Sequence, residues 1–321
     1  MSAPTPIRFD RTTGALDGAN PWERFAALLL IGGSKISSLF SHMGYNACAN
    51  LLRRTLPRRD MMMALGPDAT FVFPYGDGYW SKFLNRSFRY EPELEFFLRN
   101  ARDIDYTLLD CGANYGYFSV LVTSAPFGSR ASIAIEPSSA NFAALTKTVA
   151  ANGNRFRTLR CAIGDARGTA RLSGSKHEAF SIAGGDTAEG EEVPVLALDN
   201  LIDDGLVAAD GKFVIKLDVE GVEVEAIRGA ARLLKGDSIV VCEEHGGDRN
   251  HTVSRYILAE TPLKLAVYDP AVGRFEMLND VSPLDRIKTA SHVGYNVFAT
   301  ASPFWLDFLA RLNTPAAQRL Q

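Results

Sequence analysis

Apolar residues fall into two periods along this chain, and the change between them marks its architecture. From Thr107 onward, short apolar runs at 108–109, 132–135, 158–161, 213–217 and 238–242 alternate with stretches of helical period at 116–124, 138–152 and 223–234. That succession predicts an α/β fold: a mostly parallel, seven-stranded, Rossmann-like sheet with helices on both faces. Runs at 169–172 and 192–195 read as extra short strands around a polar, glycine-rich loop, 173–191, long enough to act as a lid. After Leu263, alternation through Val267, Phe275–Met277 and Asn296–Phe298 predicts antiparallel strands that finish the sheet.

The chain before this region is patterned differently. Residues 1–20 are rich in Pro, Thr, Gly and Asp and read as a loosely held arm. Residues 21–57 give two helices separated near Gly44, with Arg53, Arg54, Arg58 and Arg59 at their end. The arginines read as a solvated helix end rather than an anion site. Thr70 to Pro74, followed by the Tyr75-Gly-Asp-Gly-Tyr79 turn, predicts a small hairpin in front of the main domain. The resulting division is an arm and helical segment at 1–69, a Rossmann-like domain at 70–300 and a helical tail at 301–321.

At 321 residues the chain can bury a sizeable core, and its net charge of −3 gives no electrostatic reason to expect a nucleic-acid partner. Cys48, Cys111, Cys161 and Cys242 are far apart, form no Cys-x-x-Cys, and read as reduced core thiols of a cytoplasmic protein. No signal-peptide pattern opens the chain. The apolar stretch 25–40 is shorter than the ~20 residues that span a bilayer, so no transmembrane segment is expected. A buried or interface helix is preferred there over one lying on a membrane surface. These helices are still the place where a second copy, a partner or the membrane surface would be met.

The chemistry gathers where strands end. Asp110 closes an apolar run and leads through Gly112 and Gly116 into a helix whose first N–H groups are unpaired, a nucleotide-binding turn. Its spacing, Asp-x-Gly-x-x-x-Gly, differs from the dinucleotide pattern Gly-x-Gly-x-x-Gly. Glu136, 20 residues after Gly116, ends the next strand and can accept from both hydroxyls of a ribose. Asp165 follows the third strand, and Lys216, Asp218 and Glu220 alternate at the end of the fourth. Glu243, Glu244 and His245 end the fifth. Open parallel sheets bind ligands at this rim, so these groups are expected to meet there.

In this order, Tyr90-Glu-Pro-Glu93, Asp110-Cys-Gly-Ala-Asn-Tyr-Gly-Tyr-Phe-Ser119, Ile135-Glu-Pro137, Asn141, Ala162-Ile-Gly-Asp165 and Ile215-Lys-Leu-Asp-Val-Glu-Gly221 resemble the FkbM family of S-adenosylmethionine-dependent methyltransferases, over roughly Phe71 to Phe298. The resemblance implies a class I methyltransferase core, S-adenosyl-L-methionine as cofactor, and O-methylation of a hydroxyl on a sugar, glycan or natural product. By motif, Asp110, Gly112, Ala113, Asn114, Gly116 and Phe118 would surround the methionine part of the cofactor. Glu136 would hold the ribose, Ala162 and Asp165 would sit by the adenine, and Asp218 would lie beside the sulfonium and the acceptor. Cys111 stands where valine or isoleucine is commoner.

A hydroxyl is a weak nucleophile, and a positioned base adds ~10²–10⁴-fold in rate. Asp218, Glu220, Glu244 and His245 are the candidates, with Lys216 beside them, and the residue types do not choose among them. The same four side chains include ligands for a divalent metal, but no tight ligand spacing supports one and none is predicted. Tyr79 and Trp80 suit stacking on a sugar, and with Glu91 they form the candidate acceptor set. Competing expectations are a non-catalytic cofactor-binding protein of the same fold and a nicotinamide-dependent oxidoreductase, which the glycine spacing and Asp110 disfavour.

Overall fold

A computed structural model describes residues 4–173, 181–182, 190–288 and 293–314. Its centre is an eight-stranded mixed sheet. The strand order is Arg274–Leu278, Lys264–Asp269, Tyr295–Thr300, Ser238–Glu244, Phe213–Leu217, Thr107–Cys111, Ala131–Ile135 and Arg157–Leu159. The last five run parallel, while Tyr295–Thr300 is antiparallel to both of its neighbours and Arg274–Leu278 closes a hairpin on Lys264–Asp269. The expected seven-stranded, mostly parallel sheet is thus corrected to eight mixed strands. The three antiparallel strands expected after Leu263 all form, and with the five parallel ones they make eight; Phe275 of the edge strand stands opposite Tyr268.

Parallel strands covered on both faces read as unbroken apolar runs, and Phe213–Leu217 is buried at every position. Leu108, Val214 and Val241 face an aromatic core that includes Phe97 and Trp305. Leu109, Ile215 and Val240 face a second, aliphatic core with Ala226 and Ile257. The helices Pro92–Asn100, Tyr117–Val122 and Pro303–Leu312 supply the first core, and Glu223–Arg228 and Thr252–Glu260 supply the second.

Several elements differ from expectation. Ile7–Asp10, inside the supposed loose arm, is a strand paired in parallel with Asp60–Gly66, and Ile7 and Phe9 are buried. The hairpin exists, but Ala69–Pro74 pairs backward with Asp60–Gly66 instead of forward across the Tyr75–Tyr79 turn. Ala162–Gly164 leaves the main sheet and pairs with Glu191–Ala197 in a small separate sheet. The proposed lid, 173–191, lies largely outside the described residues. All four cysteines are free; Cys111, Cys161 and Cys242 are buried as expected, but Cys48 is exposed on the short helix Tyr45–Arg53.

Both N-terminal helices form. Pro21–Ser37 begins with a capping box in which Asn20 and Glu23 each accept from the other's backbone amide. Glu23 is fully buried and also paired with Arg59, which ties the helix to the chain that follows it. No helix among the described residues is long and apolar enough to cross a membrane.

Candidate active site

The turn after Thr107–Cys111 is shaped by its neighbour. The Gly112 and Ala113 amides both donate to the Ile135 carbonyl, at 2.9 and 3.0 Å, and the Asp218 amide donates to the Cys111 carbonyl at 3.1 Å. Gly112 adopts φ +78°, and a Cβ there would lie 1.8 Å from the Asp218 carbonyl oxygen. Only glycine fits where the two strand ends touch. Asn114 follows in the left-handed region at φ 51°, its amide donating to Glu136 Oε2 at 2.9 Å.

These contacts line a first cavity with Asp110, Gly112, Ala113, Asn114, Phe118, Glu136, Asn141, Ala162, Leu172 and Lys216 on its walls. Asp110 is buried, and its Oδ2 accepts from the Ser119 amide and hydroxyl at 3.2 and 2.7 Å. It therefore holds the turn to the following helix. Glu136, only 4% exposed, accepts from Asn114, from the Ser138 amide at 3.0 Å and from Asn141 Nδ2 at 3.3 Å. Burial nevertheless pushes its pKa up to about 7. Gly116 stands behind the turn at φ +87°, its amide on the Ala113 carbonyl, and does not line the cavity. Asp165 does not line it either. It is exposed, because Ala162–Gly164 turns away into the small sheet and Gly229 packs against the Asp165 backbone.

A second, wider cavity adjoins the first. Its walls include Glu91, Glu93, Glu243, His245, Lys82 and the turn 41–44. Tyr79, Tyr90, Asp218 and Glu220 line both cavities and form their junction. Trp80 lines the first cavity, not the second: it is buried among Phe71, Phe83 and Tyr117, and its Nε1 donates to Asn114 Oδ1 at 3.2 Å.

Around the junction the charges are crowded. Lys216, 3% exposed, places Nζ 3.0 Å from Asp218 Oδ2. Burial alone would lower its pKa, but Asp218, Glu91, Asp110 and Glu243 push it well above the ordinary lysine value. Carboxylate oxygens of Glu91, Asp218 and Glu243 lie within 4.8 Å of one another. Burial, then the charges of Asp218 and Glu91, raise the pKa of Glu243 well above the usual carboxylate range. Glu91 and Glu220 are each pushed up to about 7, burial again being the largest cause. The oxygens are of the type a divalent cation takes. Lys216 already supplies positive charge there.

Two candidate bases change standing. Glu244 is fully buried on the opposite face of its strand, where it accepts from the Ser254 amide at 2.7 Å and lies 3.9 Å from Lys288 Nζ, and it reaches neither cavity. The reason is register. Lys216 lies beside Asp110 on one side and Val241 on the other, so the site-facing residue two positions beyond Val241 is Glu243. His245 lines the second cavity, but Glu223, 3.7 Å away, holds its pKa up at about 9. At neutral pH it is a cation and cannot accept a proton.

Glu243, expected at the rim but not among the candidate bases, and Tyr90 are the site residues to which residue-level reasoning gave no role. Strand parity fixed to Lys216 would have found Glu243. Tyr90 opens the Tyr90-Glu-Pro-Glu93 motif, but nothing local marks it as facing the junction. Asn114, Glu91 and Glu220 share a further property: each has positive φ, at 51°, 42° and 55°, and each lines a cavity. Such strained non-glycine backbone gathers at functional sites.

Residues 110–261 match the methyltransferase FkbM domain. Among solved structures, a methyltransferase FkbM from Methylobacillus flagellatus KT aligns at TM-score 0.39 and 16% identity, covering 68% of this chain and 51% of that one. The chain thus spans about half of that protein's length. An rRNA methylase from Streptococcus thermophilus aligns at TM-score 0.37 and 12% identity over 66% of this chain and 97% of the other. A SAM-dependent O-methyltransferase from Thermotoga maritima aligns at 0.35 and 13% over 78% and 80%. No curated protein matches the chain. Over residues 110–261, then, this chain is similar to the methyltransferase FkbM domain.

Proposed function

We propose that this protein transfers a methyl group from S-adenosyl-L-methionine to a hydroxyl of a sugar, glycan or natural product. The observation that carries the reading is the junction: two cavities of different character meet at Tyr79, Tyr90, Asp218 and Glu220. The first cavity fits the donor. Ile135, Pro137, Ala162, Ile163 and Leu172 give it apolar walls for a flat base, and Asp110, Glu136 and Asp218 give it acids for a cation and a ribose. Three protein donors occupy Glu136, which leaves one of about four acceptor positions for a ribose hydroxyl.

The donor, when bound, supplies a methyl group already activated on a positive sulfur. The protein's part is to align the acceptor and take its proton. Asp218, fixed by Lys216, orients the acceptor hydroxyl at the junction. Glu220 takes the proton: its pKa of about 7 suits a general base near neutrality, and it reaches both cavities. Glu243, which burial and the charges of Asp218 and Glu91 make a weaker acid, lies beside Asp218, and cationic His245 stabilises the Glu220 carboxylate. The buried free thiols fit a reducing compartment such as the cytoplasm.

Incubation with radiolabelled methyl donor and a panel of glycans and lipophilic alcohols tests the reading. Label should appear on a hydroxyl oxygen with the native protein and fall steeply with Glu220→Gln. Transfer to a nitrogen or carbon acceptor alone would refute it.

A further inference from the structure

We propose that the outer face of the two N-terminal helices docks on an anionic lipid surface. Among the described residues, nine of the twelve large hydrophobic side chains left exposed lie between Trp22 and Leu51. The helix Pro21–Ser37 is apolar on two sides. Ala26, Ala27 and Leu30 pack inward, while Trp22, Phe25, Leu28, Leu29 and Ile36 stay exposed. At ~100° per residue those five occupy about a third of the helix circumference, opposite the buried face. The turn beyond it adds Leu39, Phe40 and Met43, exposed by 78, 63 and 67%. An apolar surface this concentrated marks an interaction site.

Charge identifies the occupant. From residue 24 to residue 59 the sequence has no Asp or Glu, against Arg24, Lys35, Arg53, Arg54, Arg58 and Arg59, in a chain whose net charge is −3. Arg59 and Arg53 face Glu23 and Asp77, whereas Arg24, Lys35, Arg54 and Arg58 are exposed. On the helical wheel Arg24 and Lys35 border the exposed apolar arc, where long basic side chains reach lipid headgroups while their stems cover apolar surface. A symmetric contact with a second copy would set these cations against one another with no acid from the same stretch to offset them. Anionic headgroups offset them directly, at about fivefold in affinity per basic side chain near the surface. Docking this way brings the second cavity to the lipid, because Ser38, Ser41, His42, Met43 and Gly44 line it.

Co-sedimentation of the full chain with phosphatidylcholine vesicles, alone or with about 30% phosphatidylglycerol, tests the proposal without reference to catalysis. The protein should pellet with the anionic vesicles, release in about 0.5 M salt, and show a blue shift of Trp22 emission, since Trp80 and Trp305 are already buried. Leu39→Glu with Phe40→Glu, and separately Arg54→Glu with Arg58→Glu, should each weaken binding by about tenfold or more with the melting temperature unchanged. Equal pelleting with both vesicle types would overturn the proposal. So would no pelleting together with a dimer, seen by sedimentation velocity, that Leu39→Glu with Phe40→Glu dissociates; that result would assign the face to a second copy.

Discussion

Replacing Lys216 by Met tests the electrostatics of the site. The methionine keeps most of the side-chain stem beside Phe118, over whose ring Nζ stands at 5.4 Å, and removes the ammonium 3.0 Å from Asp218. Its charge restrains Glu91, Asp110, Glu220 and Glu243, all of which burial already pushes upward. Breaking a buried pair by removing one partner costs about 3–5 kcal/mol, so that loss is expected at pH 8. The sign of the pH dependence follows from which state holds protons more tightly. Carboxylates whose folded pKa lies above the unfolded value bind protons more tightly when folded, so their charge destabilises the fold as pH rises from 4.5 through about 7. Without Lys216 those pKa values climb further, and on acidification the variant recovers about 1.4 kcal/mol for each further tenfold gain in proton affinity. Urea unfolding of both proteins at pH 8 and pH 5 measures this. A deficit under about 1 kcal/mol at pH 8, or one that fails to shrink at pH 5, would refute the reasoning.

Gly112→Ala should cost about 2–5 kcal/mol in urea unfolding, because it combines a left-handed φ with a Cβ 1.8 Å from a backbone oxygen; an unchanged midpoint would mean the two strand ends are not in contact. Glu220→Gln should lower methyl transfer by ~10²–10⁴-fold with donor affinity retained, and the acid limb of the rate profile near pH 7 should vanish with it. Trp80→Phe keeps the ring in its aromatic cluster and deletes the bond to Asn114. Donor affinity measured by calorimetry should fall several-fold, in line with a hydrogen bond worth about 1 kcal/mol, while acceptor KM is unmoved.

Much of this was legible in the chain because strand ends in a parallel sheet carry their chemistry in sequence order. Asp110, Gly112, Asn114, Glu136, Lys216 and Asp218 all line the first cavity, each at or just beyond the end of an apolar run. What the chain hid depends on partners. Glu243 and Glu244 differ only in which face they take, and that face is set by pairing with Phe213–Leu217. Asp60–Gly66 carries three consecutive methionines, a run that shows no alternation until Ile7–Asp10 and Ala69–Pro74 flank it. The apolar stretch 25–40 is hydrophobic around most of the helix, so its pattern could not say which side stays in water. Glu91 belongs to the expected acceptor set, but its route was hidden: it comes to the junction through its backbone at φ 42° just before the helix Pro92–Asn100.

The proposed chemistry stands or falls on the first cavity being a methyl-donor site. Titration calorimetry with S-adenosylhomocysteine decides this, since the product shares every contact of the donor except those of the methyl group. One equivalent should bind at micromolar affinity or tighter, and NAD should give no heat. Binding of NAD with no binding of S-adenosylhomocysteine would contradict the assignment.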